Sequence, residues 1–156
     1  MTPNDTGAEI TAEQIHGTWV MVDRGTDSAE DEALGRERYG DDPQGWMILS
    51  PDGWMSGVVC WGGRPALAGD PAWHVDAPDA DRLHAFDTYL SYGGRYAIEN
   101  SVLTTTVEHS INPGWVGGTQ VRGLEKPGDG TLILHWERAW ADGHVVRGWV
   151  RWRRAG

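Results

Sequence analysis

Three ionisable side chains lie in two neighbouring strand-like segments and are the first candidates for chemistry. Glu108 and His109 fall within residues 102–111, and Arg122 falls within residues 119–125. Side chains alternate between the two faces of a strand, so Glu108 and His109 are expected to point in opposite directions. A pair formed by Glu108 and Arg122 across adjacent strands is therefore predicted.

This predicted pair has two interpretations. It forms a structural ion pair inside a barrel, because an isolated buried charge costs several kcal/mol. Alternatively, it orients a ligand carbonyl or enol, with Glu108 as a general base. The sequence alone leaves open which strand face is inside. His109 joins the same site only if a bulge intervenes before Pro113, and is otherwise a partly exposed polar residue.

A further strand-like segment, residues 131–140, also mixes ionisable and aromatic side chains. His135 and Glu137 share one face, and Trp136 lies on the other. An outer-face pair of His135 with Glu137 is favoured over a catalytic dyad. The face that carries Trp136 is either core or the wall of a cavity.

Aromatic residues supply candidate walls for a ligand pocket. The chain has 10 Trp and 1 Phe, and Trp combines a large apolar area with one N–H donor. Any single Trp is best interpreted as core, but several of the set are expected to line a pocket. The candidate substrate-binding residues are Tyr89, Tyr92, Tyr96, Trp54, Ser110, Asn112, Trp115, Gln120 and Trp136.

No metal or cofactor is expected. The 6 His residues do not show the spacing of a local metal-ligand motif. The single Cys60 can form neither an internal disulfide nor a cysteine cluster. No glycine-rich nucleotide loop opens a helix, and no Ser lies in a nucleophile elbow.

Strand and turn signals around these candidates predict an all-β fold, an eight-stranded antiparallel barrel. Short apolar runs are joined by tight turns such as Asp52-Gly53, and 22 Gly suit many such turns. The predicted strands are residues 18–22, 45–50, 54–60, 95–98, 102–111, 119–125, 131–140 and 145–153.

Two helices are predicted beside the strands. Thr11 and Gln14 fit a capping box that begins a short N-terminal helix. Residues 79–92 predict one helix inserted mid-chain, ended by a glycine pair. Its apolar stripe is formed by Leu83, Phe86 and Leu90.

The length of 156 residues predicts a single barrel domain, residues 11–156, behind a disordered tail of residues 1–10. Residues 24–42 are predicted to form a long acidic loop. The formal net charge of −10 argues against nucleic acid and against an anionic membrane as partners. No signal peptide or transmembrane helix is visible, which predicts a cytoplasmic protein. The sequence leaves a homodimer open.

Four pieces of the chain, in this order and spacing, resemble the bacterial lipocalin-like domain family. They are Gly17-Thr18-Trp19, GWMILSPDGWMS from residue 45, FDTYLSYGGRY from residue 86, and VEHSINPGWVGGTQVR from residue 107. Together they span most of the chain beyond residue 16. The pieces are fairly specific for the fold and carry no specificity for an activity.

The resemblance implies a closed barrel with an internal cavity for a small, largely apolar molecule. It also implies that Trp19 packs near the closed end under a basic residue of the last strand, Arg151 or Arg153. The family pattern favours Glu108 and Ser110 on the inner face. The chain departs from that pattern beside the expected pocket, at His109, Asn112 and Gly114.

Lipocalin-like barrels recur as cofactor-free cyclases and isomerases of bacterial natural-product pathways, and as plain binding proteins. The resemblance therefore implies a small hydrophobic, polyketide-like ligand. The expected function is its conversion by a cofactor-independent cyclase or isomerase, with Glu108, Arg122 and His109 as catalytic candidates. The alternative is a non-catalytic carrier or sequestering protein.

Overall fold

The computed structural model describes residues 7–69 and 73–156. Eight strands form one closed antiparallel barrel, in which each strand pairs with its neighbours in sequence and the first pairs with the last. The predicted all-β barrel is confirmed. The strands are β1 (Gly17–Thr26), β2 (Gln44–Leu49), β3 (Trp54–Cys60), β4 (Tyr89–Glu99), β5 (Val102–Ser110), β6 (Thr119–Glu125), β7 (Thr131–Ala139) and β8 (Val145–Arg154).

One end of the barrel is closed by the short helix α1 (Ala12–Ile15), which begins with the predicted capping box. Trp19 is buried beneath it, and its indole Nε1 donates to the Ile15 carbonyl at 2.8 Å. The guanidinium of Arg154 lies 4.5 Å from the centre of the Trp19 ring. The expectation of Arg151 or Arg153 here is wrong, because strand alternation puts Arg154 on the inward face of β8 with the buried Trp152.

The predicted disordered tail is described only from residue 7 onward. Its first six residues lie outside the described part of the chain. Within the rest, Ile10 is buried, and its backbone N–H donates to Ser101 Oγ at 2.9 Å.

A second helix, α2 (Ala29–Tyr39), replaces the loop predicted over residues 24–42. Ser28 caps it by accepting from the Asp31 N–H at 3.0 Å. Three acids occupy the first turn, and Arg36 and Arg38 lie in the last turn. This charge order complements the helix dipole, which explains how a segment with few apolar residues becomes helical.

The mid-chain helix α3 (Asp79–Asp87) ends earlier than predicted. Tyr89 already pairs with Cys60 in the β3–β4 ladder, so sheet pairing prevails over the helical spacing beyond residue 87. The predicted apolar stripe is not buried, since Leu83 is 62% exposed and Phe86 is 51% exposed.

The β4–β5 ladder contains a bulge at Glu108. Gly94 pairs with Val107 and Gly93 pairs with His109, which leaves Glu108 without an opposite residue. A Cβ atom on Gly94 would overlap the Thr106 carbonyl oxygen, so the close approach of the strands requires glycine here.

The β6–β7 ladder is the shortest in the barrel. Within the described strands it has three residue pairs, beside the hairpin that joins β6 to β7. Toward the other end of the barrel the two strands separate, and a groove opens between them. None of the helices in the described part of the chain combines the length and apolarity that a membrane crossing needs.

Candidate functional site

A cavity of about 500 Å³ occupies the end of the barrel opposite α1. Its walls come from the inward faces of the strands, and α2 lies across it as a lid. The walls are mainly apolar and aromatic. The apolar wall includes Met21, Met47, Met55, Val59, Leu134, Trp136, Val150 and Trp152.

The cavity contains seven of the residues predicted from sequence as site candidates. They come from β4, β6, β7 and the turn that follows β5, and all of them line one interior. They are Tyr89, Tyr92, Asn112, Trp115, Gln120, Arg122 and Trp136.

Arg122 is the one cation among these seven residues. It shares the inner face of β6 with Gln120, as alternation predicts. Its guanidinium donates to Gln120 Oε1 at 3.1 Å and to the Val121 carbonyl at 2.8 Å. Its Cζ lies 5.7 Å from the centre of the Tyr92 ring. Arg122 is therefore held in one orientation at the cavity wall by groups that carry no net charge.

The predicted pair of Glu108 with Arg122 does not form. The inner face of β5 carries Leu103, Thr105 and Val107, all buried, whereas Glu108 is exposed. The bulge places His109 opposite Gly93, and His109 is exposed as well. The prediction that Glu108 faces inward is therefore wrong.

The bulge also shifts the alternation that follows it. Ser110 pairs with Tyr92 across β4 and β5, which puts it back on the side of the inward tyrosine. Its hydroxyl accepts from the Asn112 N–H at 3.1 Å and so shapes the turn before the cavity residues Asn112 and Trp115.

Two predicted pocket aromatics lie near the closed end instead. The Tyr96 hydroxyl donates to the Ser50 carbonyl at 2.8 Å. Burial raises the pKa of the Tyr96 phenol, with a smaller contribution from the charges of Asp52 and Glu13. Trp54 is 38% exposed, under the Arg95 guanidinium at 4.2 Å. Both residues lie at the closed end of the barrel and do not line the cavity.

The lid helix contributes residues that the sequence prediction missed. Asp31, Leu34, Gly35 and Arg38 line the cavity from α2. Their spacing of three and four residues puts them on one helix face. The signal that could have found this helix is Ser28 as N-cap with Asp31 three positions later.

A charged pair fastens α2 to the loop between β7 and β8. His144 Nε2 lies 2.8 Å from Asp31 Oδ1. The hydrogen bond and charge of Asp31 raise the pKa of His144, to which Asp142 and Glu30 also contribute. The same hydrogen bond, and then that of Ser28, lower the pKa of Asp31.

Two further arginines reach the cavity over aromatic rings. The Arg138 guanidinium lies 5.5 Å from the centre of the Trp115 ring, and Arg38 lies 4.5 Å from that of Trp140. Trp115 in turn packs edge to face with Tyr92, with 5.8 Å between ring centres. Arg122, Tyr92, Trp115 and Arg138 thus form a continuous row along the cavity, called here the arginine–aromatic row.

Deep in the cavity, Trp152 is 4% exposed, and its Nε1 finds no hydrogen-bond acceptor within the described residues. A buried indole N–H ordinarily has a partner. An oxygen atom of a ligand or a water molecule supplies the kind of acceptor that this donor lacks.

The outer face of β7 is occupied by surface pairs. His135 Nε2 lies 2.8 Å from Glu125 Oε2, and Arg147 Nε lies 2.8 Å from Glu137 Oε2. The predicted outer-face pair of His135 with Glu137 is therefore replaced by cross-strand pairs. Across residues 7–69 and 73–156, no three His, Cys, Asp or Glu side chains gather as a metal site.

The fold and the cavity define a closed β-barrel of the class that holds a small hydrophobic molecule in its interior. The lipocalin-like domain family matches residues 16–155, and the chain belongs to that family. The predicted resemblance is confirmed. A search of curated proteins finds no match to this chain.

Proposed function

We propose that this protein binds a small hydrophobic, polyketide-like metabolite in the barrel cavity beneath α2, and converts it without a cofactor as a cyclase or isomerase. The observation that carries the proposal is the Arg122–Gln120 pair set into an otherwise apolar wall. An apolar cavity with a few oriented polar groups is the usual form of a small-molecule site. The volume of about 500 Å³ suits a molecule of two to four fused rings.

Catalysis in this proposal comes mainly from confinement. The aromatic walls hold a flexible substrate in a folded conformation close to the reactive one. The guanidinium of Arg122 stabilises the negative charge that develops on a carbonyl oxygen as an enolate forms. Because Arg122 has no carboxylate partner within the described residues, its charge is available to the substrate.

The proton acceptor is reassigned, because Glu108 lies outside the cavity. Asp31 and Asp87 are the two carboxylates of α2 and α3 that line it. The Asp31 carboxylate is engaged by the His144 ring at 2.8 Å. The Asp87 carboxylate is exposed and makes no hydrogen bond or ion pair with another described residue, so it is the available base. The C–H bond beside the carbonyl breaks, its electron pair enters the enolate, and the proton moves to Asp87, which returns it to a different carbon.

An isomerase assay with 2-tetralone, an apolar bicyclic ketone, tests this proposal. Deuterium uptake beside the carbonyl is followed by proton NMR. We expect the wild-type protein to accelerate uptake, and both Arg122→Gln and Asp87→Asn to lower the rate by about 100-fold, the usual scale for a general base or an oxyanion donor. Asp52→Asn removes the same charge at the closed end and serves as the matched control.

The second candidate function is a carrier, favoured by the exposed position of Glu108. A carrier binds 2-tetralone, with quenching of Trp fluorescence, and leaves the rate of deuterium uptake at that of buffer. That result would exclude the enzyme and leave the binding function in place.

A further inference from the structure

Three of the four described arginines that line the cavity lie over aromatic rings and pair with no described carboxylate. The fourth lining arginine, Arg24, pairs with Glu32 at 3.5 Å, and elsewhere on the surface Arg147 pairs with Glu137 and Arg151 with Asp129 at 3.1 Å. Arg38, Arg122 and Arg138 each lie over an aromatic ring instead. Within the described residues, no carboxylate oxygen lies within 4 Å of any of these three guanidiniums.

This absence of partners is not explained by a shortage of acids. The chain has 23 Asp and Glu against 13 Lys and Arg. An acidic protein that concentrates three unpaired guanidiniums around one concavity creates a local positive potential there. Within the described part of the chain, Asp87 is the one lining carboxylate without a partner, and its charge does not offset that of the three arginines.

The aromatic rings position the three guanidiniums but accept no hydrogen bonds at the guanidinium edges. A cation over a ring is attracted to the ring face, but the N–H groups at the guanidinium edge remain free to donate. The side chains of Arg138 and Arg38 donate no hydrogen bond to any described residue, and Arg122 donates two, both to neutral oxygens. The arginine–aromatic row therefore presents fixed, unused donors beside an apolar cavity.

On the proposed function, we infer that the ligand is a hydrophobic acid, with its apolar body in the cavity and a carboxylate bound between Arg122 and Arg138. A carboxylate accepts two parallel N–H donors from a guanidinium, a geometry that lysine cannot offer. The edge-to-face contact of Tyr92 with Trp115, with 5.8 Å between ring centres, joins the ring under Arg122 to the ring under Arg138.

A matched pair of probes tests the inference. 1-Pyrenebutyric acid and 1-pyrenebutanol share one apolar body and differ in the acid group. Binding is followed by energy transfer from the cavity Trp residues to pyrene. We expect the acid to bind about tenfold more tightly than the alcohol, the low end for a charge-assisted hydrogen bond. Added salt should weaken binding of the acid more than binding of the alcohol.

Substitutions test which residues cause the preference for the acid. The double substitution Arg122→Gln, Arg138→Gln should lower the affinity for the acid by about tenfold and leave that for the alcohol within about twofold. Arg95→Gln is the matched control, because Arg95 also lies over an indole ring but at the closed end. Arg122→Lys keeps the positive charge and should retain part of the preference for the acid. This variant separates the loss of the guanidinium from a loss of binding caused by misfolding. Thermal melts monitor folding for each variant.

The outcomes separate this inference from the function on which it rests. If the acid and the alcohol bind equally, or if the double variant keeps the wild-type preference for the acid, the inference of an acid ligand is wrong. The hydrophobic cavity then still stands as a binding site. Failure of both probes to bind overturns the proposed function, and the acid ligand with it.

Discussion

Substitution of Trp19 by Ala should cost about half of the stability of this barrel. Trp19 is 3% exposed and lies in the main core cluster with Ile15 and Trp152. Replacing a buried Trp by Ala costs about 3–5 kcal/mol of unfolding free energy. Loss of its hydrogen bond to the Ile15 carbonyl adds about 1 kcal/mol. A domain of this size has about 5–15 kcal/mol in total.

Unfolding by guanidinium chloride, followed by circular dichroism, measures this loss of unfolding free energy. Trp46→Ala is the matched control, since Trp46 is 42% exposed on a neighbouring strand. Its cost should stay near or below about 1 kcal/mol. A loss below about 2 kcal/mol for Trp19→Ala, or equal losses for both variants, would show that α1 and the closed end do not hold the barrel together.

Two further predictions concern the lid and the bulge. The Asp31–His144 pair stabilises the lid below the ordinary imidazole pKa of 6.5, and this contribution is lost as pH rises through the raised pKa of His144; it is also lost in acid as pH falls through the lowered pKa of Asp31. The difference in unfolding free energy between wild type and His144→Gln should therefore narrow as pH rises from about 6 to about 9. A difference that does not change with pH would contradict the Asp31–His144 ion pair. Gly94→Ala should cost about 1–3 kcal/mol by overpacking, measured by urea unfolding. Gly57→Ala, whose Cβ meets only the flexible end of Met55, should stay within about 1 kcal/mol, and equal costs would argue against the bulge.

The barrel could be predicted because its strands and turns follow local rules. The hairpin at Asp52-Gly53 and the strand over residues 119–125 occur as predicted. The two errors in helix prediction have different physical causes. α2 has almost no apolar periodicity and is revealed by its cap and charge order, whereas residues 88–92 have helical spacing but gain more from pairing with β3.

The candidate site was predictable up to the bulge. Alternation correctly grouped Gln120 with Arg122, and it put Trp136 on a face that lines the cavity. Glu108 was assigned to the wrong face because the family pattern selected the outer face of β5, whose inner residues are Leu103, Thr105 and Val107. The extra residue at Glu108 then reverses the phase of the positions after it. The residue that enables the bulge, Gly94, lies on the opposite strand, so the sequence around Glu108 carries no sign of it.

The short ladder between β6 and β7 has a consequence for how a ligand comes and goes. The groove between these strands is lined by Gln120, Arg122, Trp136 and Glu137, all of which also line the cavity. With few hydrogen bonds to break there, this seam is the part of the wall expected to open at the lowest free energy. We expect a ligand to exchange through the seam while α2 stays fastened. Residence time is then set by how readily β6 and β7 separate. Because the seam residues also belong to the cavity wall, substitutions there alter residence time and equilibrium affinity together.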